Sequence, residues 1–423
     1  MKVAEWWGRI RQHPLTKVGP GFVTGVADDD PSGIVTYSQA GAQFGLNMLW
    51  TMPLAYPLMS AVQVLCARIG RVTGQGLAAN IKASFPPIVL VSLVGLLLVA
   101  NILNIAADLA AMGEVASLVT GLNWHLMTAL FVFITLILQI LLPYHRYVYF
   151  LKWLTVSLLA YAAVLLTIHV PWDEVVWRTF VPSFEMNASA AAVIVGVFGT
   201  TISPYLFFWQ ASQEVEDMNL RHQKSLLDEN DSVVQSELTR IKWDTWGGMF
   251  YSNLAAYFII LATALTLHTA GITDITTAAQ AASALKPLAG DFAYWLFAAG
   301  ILGVGLIGVP VLAGSAAYAV AEVFNWRSSL EDTAQQSKKF YTVIATSVLV
   351  ALAIQYSPIS PMKALFWSAV INGVVAVPLM VVILLLSAKP AVMGSFTASK
   401  IILFLGWLAT GIMGIAAAWM FVG

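Results

Sequence analysis

The sequence predicts an all-α membrane protein of eleven spanning helices, the first and the sixth of them broken. Three observations carry that expectation. Of 423 residues, 59% are apolar and only 10% charged, with a mean hydropathy of +0.79. A soluble domain carries roughly 25% charged residues, so lipid is the natural solvent here. Apolar runs near the ~20 residues that a membrane-spanning helix needs recur eleven times. Two of those runs are interrupted at mid-length by a proline set among polar and small residues.

Taken in order, the runs lie near 19–44, 46–69, 86–112, 123–143, 147–170, 188–213, 244–268, 289–323, 340–356, 362–387 and 400–421. The opening "MKVAEWWGRIRQHPLTK" has no apolar core ahead of a cleavage site, so no signal peptide is expected. Its Trp6, Trp7, Arg9 and Arg11 suit a short interfacial helix on an arm over 1–17. The loops are short except for the charged stretch 214–243, read as a solvated connector with some helix. Lysine and arginine gather in the arm and in alternate loops: Arg68, Arg71 and Lys82, then Arg146, then Arg221 to Lys242, then Arg327, Lys338 and Lys339, then Lys389. By the positive-inside rule this face is cytoplasmic. The expected location is the plasma (inner) membrane, N-terminus in the cytoplasm and C-terminus outside. No second domain is visible: 1–423 reads as one transmembrane domain, with repeats over 19–170 and 188–387 and an extra helix over 400–421.

The first break is "GVADDDPSGIV", residues 25–35. Proline lacks the backbone donor and clashes with the preceding turn. Asp30, before it, is pushed out of helical dihedrals. The second is "VFGTTISPYLFFWQ", with Gly199, Thr200, Thr201, Ser203 and Pro204 at mid-membrane depth. Each break opens a five-helix set, 1–5 and 6–10. Paired interruptions in corresponding halves point to the binding site of an inverted-repeat transporter. Unwound backbone at that depth persists only where it is buried or lines a cavity. A carboxylate there costs roughly 2.5–3.5 kcal/mol on insertion scales, so three adjacent ones call for a function. Asp30 is the principal candidate, with Asp28 and Asp29 along a permeation or coupling route or facing a cytoplasmic vestibule.

Net charge is −1 and the single cysteine is Cys66. The first gives no field for nucleic acid, and the second excludes an internal disulfide or thiolate cluster. None of the six histidines lies centrally in a span, no glycine-rich phosphate loop carries a lysine, and no His-Glu-x-x-His occurs. An enzyme is therefore not expected, and no cofactor beyond a transported ion. The expected partners are an inorganic ion and the lipid bilayer. The sequence leaves oligomeric state open, and a monomer is compatible with it.

"GPGFVTGVADDDPSG" resembles the first helix of the NRAMP metal-ion transporters, and "TTISPYLFFWQ" their sixth. "ADLAAMGEVASLVTGL" and "INGVVAVPLM" are similar to segments of their third and tenth. The resemblance covers nearly the whole chain. It implies a LeuT-type fold of two inverted five-helix repeats plus an eleventh helix, and transport by alternating access. It also implies a metal site of aspartate and asparagine from the first helix and methionine from the sixth. Here Asp30 keeps the aspartate, whereas Gly33 stands at the asparagine and Ser203 at the methionine. Tyr205 replaces a histidine. Asp108 is kept in the third helix, but the acid one turn later is Ala111. This is an atypical branch lacking the metal-binding methionine and asparagine.

Thioether sulfur favours softer transition metals over magnesium and calcium. Without it, a wide, oxygen-lined site suits magnesium, which keeps several waters and contacts one or two carboxylates. The favoured reading is a transporter of a hard divalent cation such as Mg2+, with Mn2+ still open and weak or no proton coupling. Backbone carbonyls near Ala27 and Thr200 would add ligands. The alternative is a sodium-coupled bicarbonate symporter. In it, half-helix N-termini beginning near Gly33 and Tyr205, with the Ser32 and Ser203 hydroxyls, hold the anion, and sodium sits with Asp30. Asp108, with Asn101 and Asn104, forms a polar stripe that serves either ion passage or interhelical hydrogen bonding. Gln210 and Asn372 are candidates for the permeation path, Ser315 for a sodium ligand by fold analogy, and Asp244 and Asn253 for a gate or a structural role. Glu114 is expected near the outer vestibule.

Overall fold

The computed structural model describes residues 19–141, 157–183, 187–228, 231–354 and 360–422. The expected N-terminal arm, and residues 147–156 of the fifth expected span, lie outside them. The first span is two helices, α1 (Pro20–Asp28) and α2 (Pro31–Phe44). The second is α3 (Thr51–Thr73), followed by a short α4 (Leu77–Ser84). The third and fourth are α5 (Pro87–Thr120) and α6 (Trp124–Leu141). Within the fifth, α7 covers Leu159–Val164. A short α8 (Trp172–Phe180) exposes Trp172, Trp177 and Phe180, as an interfacial helix does.

The sixth span is again two helices, α9 (Ala188–Thr201) and α10 (Pro204–Leu220). The seventh is α11 (Asp231–Thr263), continued by a π turn over Ala264–His268. Then come α12 (Ala293–Phe324), α13 (Lys338–Ile354), α14 (Pro361–Ala388) and α15 (Lys400–Val422). Eight described helices, or pairs of joined ones, are long and apolar enough to cross a membrane. The ninth expected span is described over only 17 residues, and the first is divided by its break.

The charged stretch 214–243 is not a solvated connector. α10 runs on to Leu220 and α11 starts at Asp231, so most of it extends two spans. Its charges pair with one another and with Arg71 of α3. Arg240 bridges Glu214 at 2.6 Å and Glu237 at 3.0 Å, and Arg71 reaches Glu237 at 3.4 Å. Pairing lets charged residues enter the packed end of the bundle.

Helix neighbours follow a repeated scheme. α11 lies along both halves of the first span, and α3 along both halves of the sixth. α6 packs on α5 as α13 packs on α12, while α5 and α12 pack on each other. Small residues permit these approaches. A Cβ on Gly25 of α1 would fall 2.2 Å from the Gly248 carbonyl carbon of α11, and one on Gly199 of α9 would fall 2.1 Å from the Ala369 carbonyl oxygen of α14.

Candidate functional site

Both breaks have the same local cause, a proline at the first position of the second half-helix. Pro31 opens α2 and Pro204 opens α10, where the missing N–H would have no helical partner anyway. The half-helices thus begin at Pro31 and Pro204, slightly ahead of the expected Gly33 and Tyr205. Asp30 is the N-cap of α2, extended at ψ 172°, and its Oδ1 accepts the Gly33 N–H at 2.9 Å and the Ser32 hydroxyl at 2.6 Å. A carboxylate at a helix N-terminus is favoured by the dipole as well as by the hydrogen bonds.

Oδ2 of Asp30 faces the other way. It accepts Asn104 Nδ2 at 2.8 Å from α5, and the Tyr205 hydroxyl at 3.3 Å from α10. The same hydroxyl lies 3.3 Å from the Ala27 carbonyl at the end of α1. Tyr205 therefore joins the two breaks directly, touching two of the groups expected to hold an ion. Ser203 turns back on its own helix, its hydroxyl 2.7 Å from both the Gly199 and Thr200 carbonyls. This shields the Thr200 carbonyl proposed as a ligand but leaves the lone pairs of Ser203 Oγ available.

The expected roominess is absent in this conformation. Asp30, Thr200, Ser203 and Tyr205 are each at most 1% exposed. A Cβ on Gly33 would lie 3.1 Å from Thr200 Oγ1 and 3.4 Å from the Tyr37 ring. With glycine at 33, the two breaks lie close against each other here. α12 closes a further side: a Cβ on Gly308 would sit 3.0 Å from Asp30 Cβ.

The remaining candidates fall into three groups. Asp108 of α5 is fully buried, lies within electrostatic reach of Asp30 and faces the Ser32 backbone, while neither carboxylate oxygen closes a hydrogen bond. Asp28 and Asp29 share one hydroxyl, Ser252 Oγ of α11, at 2.5 and 3.0 Å; neither faces a vestibule, being 0% and 1% exposed. The others stand apart. Ser315 accepts Asn101 Nδ2 at 2.8 Å, about 10 Å along α12 from Gly308 at 1.5 Å per residue. Gln210 donates to Glu214 at 3.3 Å, two turns along α10 from Ser203. Asn372 is buried in α14 with both amide atoms unpartnered. Among the described residues, no three His, Cys, Asp or Glu side chains converge as a metal-holding group. An ion at Asp30 therefore relies on one carboxylate with neutral oxygens.

Two site residues escaped the sequence reading in part or wholly. Asn104 was legible as one member of a polar stripe, but its contact with Asp30 was not. Ser252 carried no signal, since a lone serine in an apolar run most often bonds its own helix.

The ends of the bundle close over this centre. On the face assigned to the cytoplasm, Asp244 of α11 accepts the N–H groups of Gly19 and Gly21 at 3.1 and 2.8 Å, fastening the start of α1. Nearby, Glu216 of α10 takes the hydroxyls of Tyr318 and Ser329. In the adjoining loop, hydrogen bonds from the Arg327 guanidinium hold the Asp332 carboxyl below the usual carboxylate range. At the opposite end, Gln39 exchanges hydrogen bonds with Thr273 and Ile275, and Glu114 accepts the Ala278 N–H at 2.8 Å. A strap between α11 and α12 is thus drawn onto α2 and α5.

Comparison with known proteins gives a consistent result. The family described as natural resistance-associated macrophage protein-like matches residues 21–423. A divalent metal cation transporter MntH of Klebsiella pneumoniae is 23% identical over 98% of this chain and 95% of its own length. Another, from Bradyrhizobium diazoefficiens, is 29% identical over 71% of this chain, a match spanning 65% of that protein. Among solved structures, the Eremococcus coleocola manganese transporter superimposes with a TM-score of 0.69 at 16% identity, over 95% of this chain and 85% of that one. Mhp1, a nucleobase-cation-symport-1 family transporter, gives 0.58 at 13% identity, over 96% and 93%. The structural likenesses are of fold.

Proposed function

The chain belongs to the natural resistance-associated macrophage protein-like family and has its LeuT-type fold of inverted repeats, and from that premise we propose that it is a secondary transporter of a hard divalent metal cation, Mg2+ in the first place. The observation that carries this reading is the donor set around Asp30. The oxygens at hand are the Asp30 carboxylate itself, the Ser32 and Tyr205 hydroxyls, the unpartnered Asn104 amide oxygen and the Ala27 carbonyl, while the Gly33 N–H only caps the helix. The sulfur of Met112, on the same stripe of α5 as Asn104, packs against Gly305 beside Pro31 but is not among the groups bonded to Asp30. Oxygen donors without sulfur suit hard cations. Manganese, named for the Eremococcus coleocola relative, remains the competing substrate.

The ion enters between the Asp30 carboxylate and the Ala27 carbonyl, where the Tyr205 hydroxyl now lies. Tyr205 makes the longest contact to Asp30 and is the group that yields. The anion alternative gains nothing from the geometry: the α2 N-terminus is already capped by Asp30, and among the described residues no cationic side chain contacts Asp30. Proton coupling is expected to be weak, since a tyrosine and Ala111 stand on the route where the resemblance implies a histidine and an acid.

The test is uptake into proteoliposomes. Magnesium and manganese flux should saturate and compete, with magnesium transported and bicarbonate without effect. Asp30→Ala should reduce uptake to that of empty liposomes. Wild-type rates in that variant would remove Asp30 from the site, and strong substrate-driven acidification would contradict the absence of proton coupling.

A further inference from the structure

Asp28 and Asp29 are not used by the ion site just described, and their arrangement is short of positive charge. Ser252 Oγ lies 2.5 Å from Asp28 Oδ2 and 3.0 Å from Asp29 Oδ1. A hydroxyl owns one proton and can satisfy one carboxylate with it. The second carboxylate then meets oxygen lone pairs. The remaining oxygens, Asp28 Oδ1 and Asp29 Oδ2, are buried and close no hydrogen bond. Both acids also sit at the C-terminal end of α1, Asp28 as its last residue and Asp29 as its cap. The helix dipole is negative there and favours cations over acids.

A separate observation points the same way. The Tyr37 hydroxyl of α2 is fully buried and faces Thr200 without closing a hydrogen bond. Its ring edge and the Asp28 carbonyl both lie within 4 Å of the space beside Gly33. An uncommitted, buried phenolic oxygen thus stands beside the break whose two carboxylates already lack donors.

We propose that Asp28, Asp29 and Ser252, with the Tyr37 hydroxyl at their edge, form a second cation site that binds a monovalent hard cation, sodium, beside the transported ion. The inference rests on Asp30 being the ligand of the transported ion. All the donors are oxygen, which selects a hard ion. The acids are closed to solvent, so the ion must shed its water to enter. Magnesium dehydrates reluctantly, and the desolvation cost rises with charge, so a monovalent ion is the one these buried acids admit. α11 supplies Ser252 and α1 the acids, so sodium would hold the inner half-helix against α11 and leave Asp30 free for the substrate.

A bound ion raises the melting temperature of the form that binds it, which gives the test. The full-length protein in detergent is titrated with sodium chloride against choline chloride at constant ionic strength, and separately with magnesium or manganese chloride. Sodium, but not choline, should raise the melting temperature of the wild type and of Asp30→Asn in a saturable way. The rise should vanish in Ser252→Ala and in Asp29→Asn. The divalent response should show the opposite pattern, lost in Asp30→Asn and present in Ser252→Ala, which also reports that the latter is folded. Equal melting in sodium and choline for the wild type would overturn the proposal. So would a sodium response that survives both Ser252→Ala and Asp29→Asn, or one that disappears in Asp30→Asn. A sodium response with no divalent response in the wild type would sink the transport reading of Asp30 and leave the second site standing.

Discussion

Asp30 does two things with one carboxylate. Oδ1 caps α2 and Oδ2 reaches across to α5 and α10, so the helix end holds the carboxylate rigid. Removing Asn104 tests the second role alone. Asn104→Ala loses a charge-assisted hydrogen bond, of a kind that contributes about 1.5–3 kcal/mol. It should weaken divalent binding about tenfold or more in calorimetry, with the fold intact. Unchanged affinity would mean that Asn104 leaves Asp30 when the ion arrives. Gly33 gives a sharper test. Gly33→Asn supplies the oxygen that the resemblance expects, yet its Cβ lands 3.1 Å from Thr200 Oγ1. Crowding of this kind costs about 1–3 kcal/mol. The single variant should melt lower and transport less, and Gly33→Asn/Thr200→Ala should recover part of both. A fully active single variant would show that the site is wider in the transporting protein than in this closed form.

At the scale of elements, the sequence made the two breaks legible because their prolines follow N-cap residue types, Asp30 and Ser203, inside clusters of polar and small residues. Proline alone was not the signal. Pro57, Pro310 and Pro378 lie within continuous helices, where Tyr56, Val309 and Val377 precede them. What could not be read was which elements meet. Ser252 on α11 and Gly308 on α12 touch the acids only through packing, and packing has no period in a sequence. The charged stretch 214–243 was misread for a related reason, since polarity marks solvent only when charges have no partners, and Arg71 lies more than 140 residues away in the chain. The close helix contacts yield their own prediction. A Cβ on Gly25 meets the Gly248 backbone, which cannot yield, whereas one on Gly411 meets nothing within 4 Å. Gly25→Ala should lower the melting temperature by parting α1 from α11. Gly411→Ala should be neutral or stabilising by up to about 1 kcal/mol through helix propensity. Equal effects would deny the close packing of α1 on α11.

Across the whole molecule, the centre is buried while each end is fastened by a few polar contacts, so that neither end opens onto Asp30. The fastenings differ in kind. The strap between α11 and α12 is held by hydrogen bonds between its backbone and Gln39 and Glu114, with one exposed ion pair, Asp274 to Lys363 at 3.5 Å. The end that carries the α1 N-terminus uses partly buried charge, with Asp244 on those N–H groups and the Arg240 pairs beside it. Asp244 gains from both the free N–H groups and the helix dipole, so Asp244→Ala should release α1 and shift the population toward the form open at that end. The only cysteine, Cys66, is buried, so Cys66→Ser gives a clean background for reporters. Val23→Cys on α1 should react several-fold faster with a membrane-impermeant maleimide when Asp244→Ala is added. Thr273→Cys on the strap should react more slowly in the same protein, because a population drawn to one open state is withdrawn from the other. Faster labelling at both positions would show loosening of the bundle instead of alternation. Unchanged labelling at Val23→Cys would mean that Asp244 holds α1 in place without gating it.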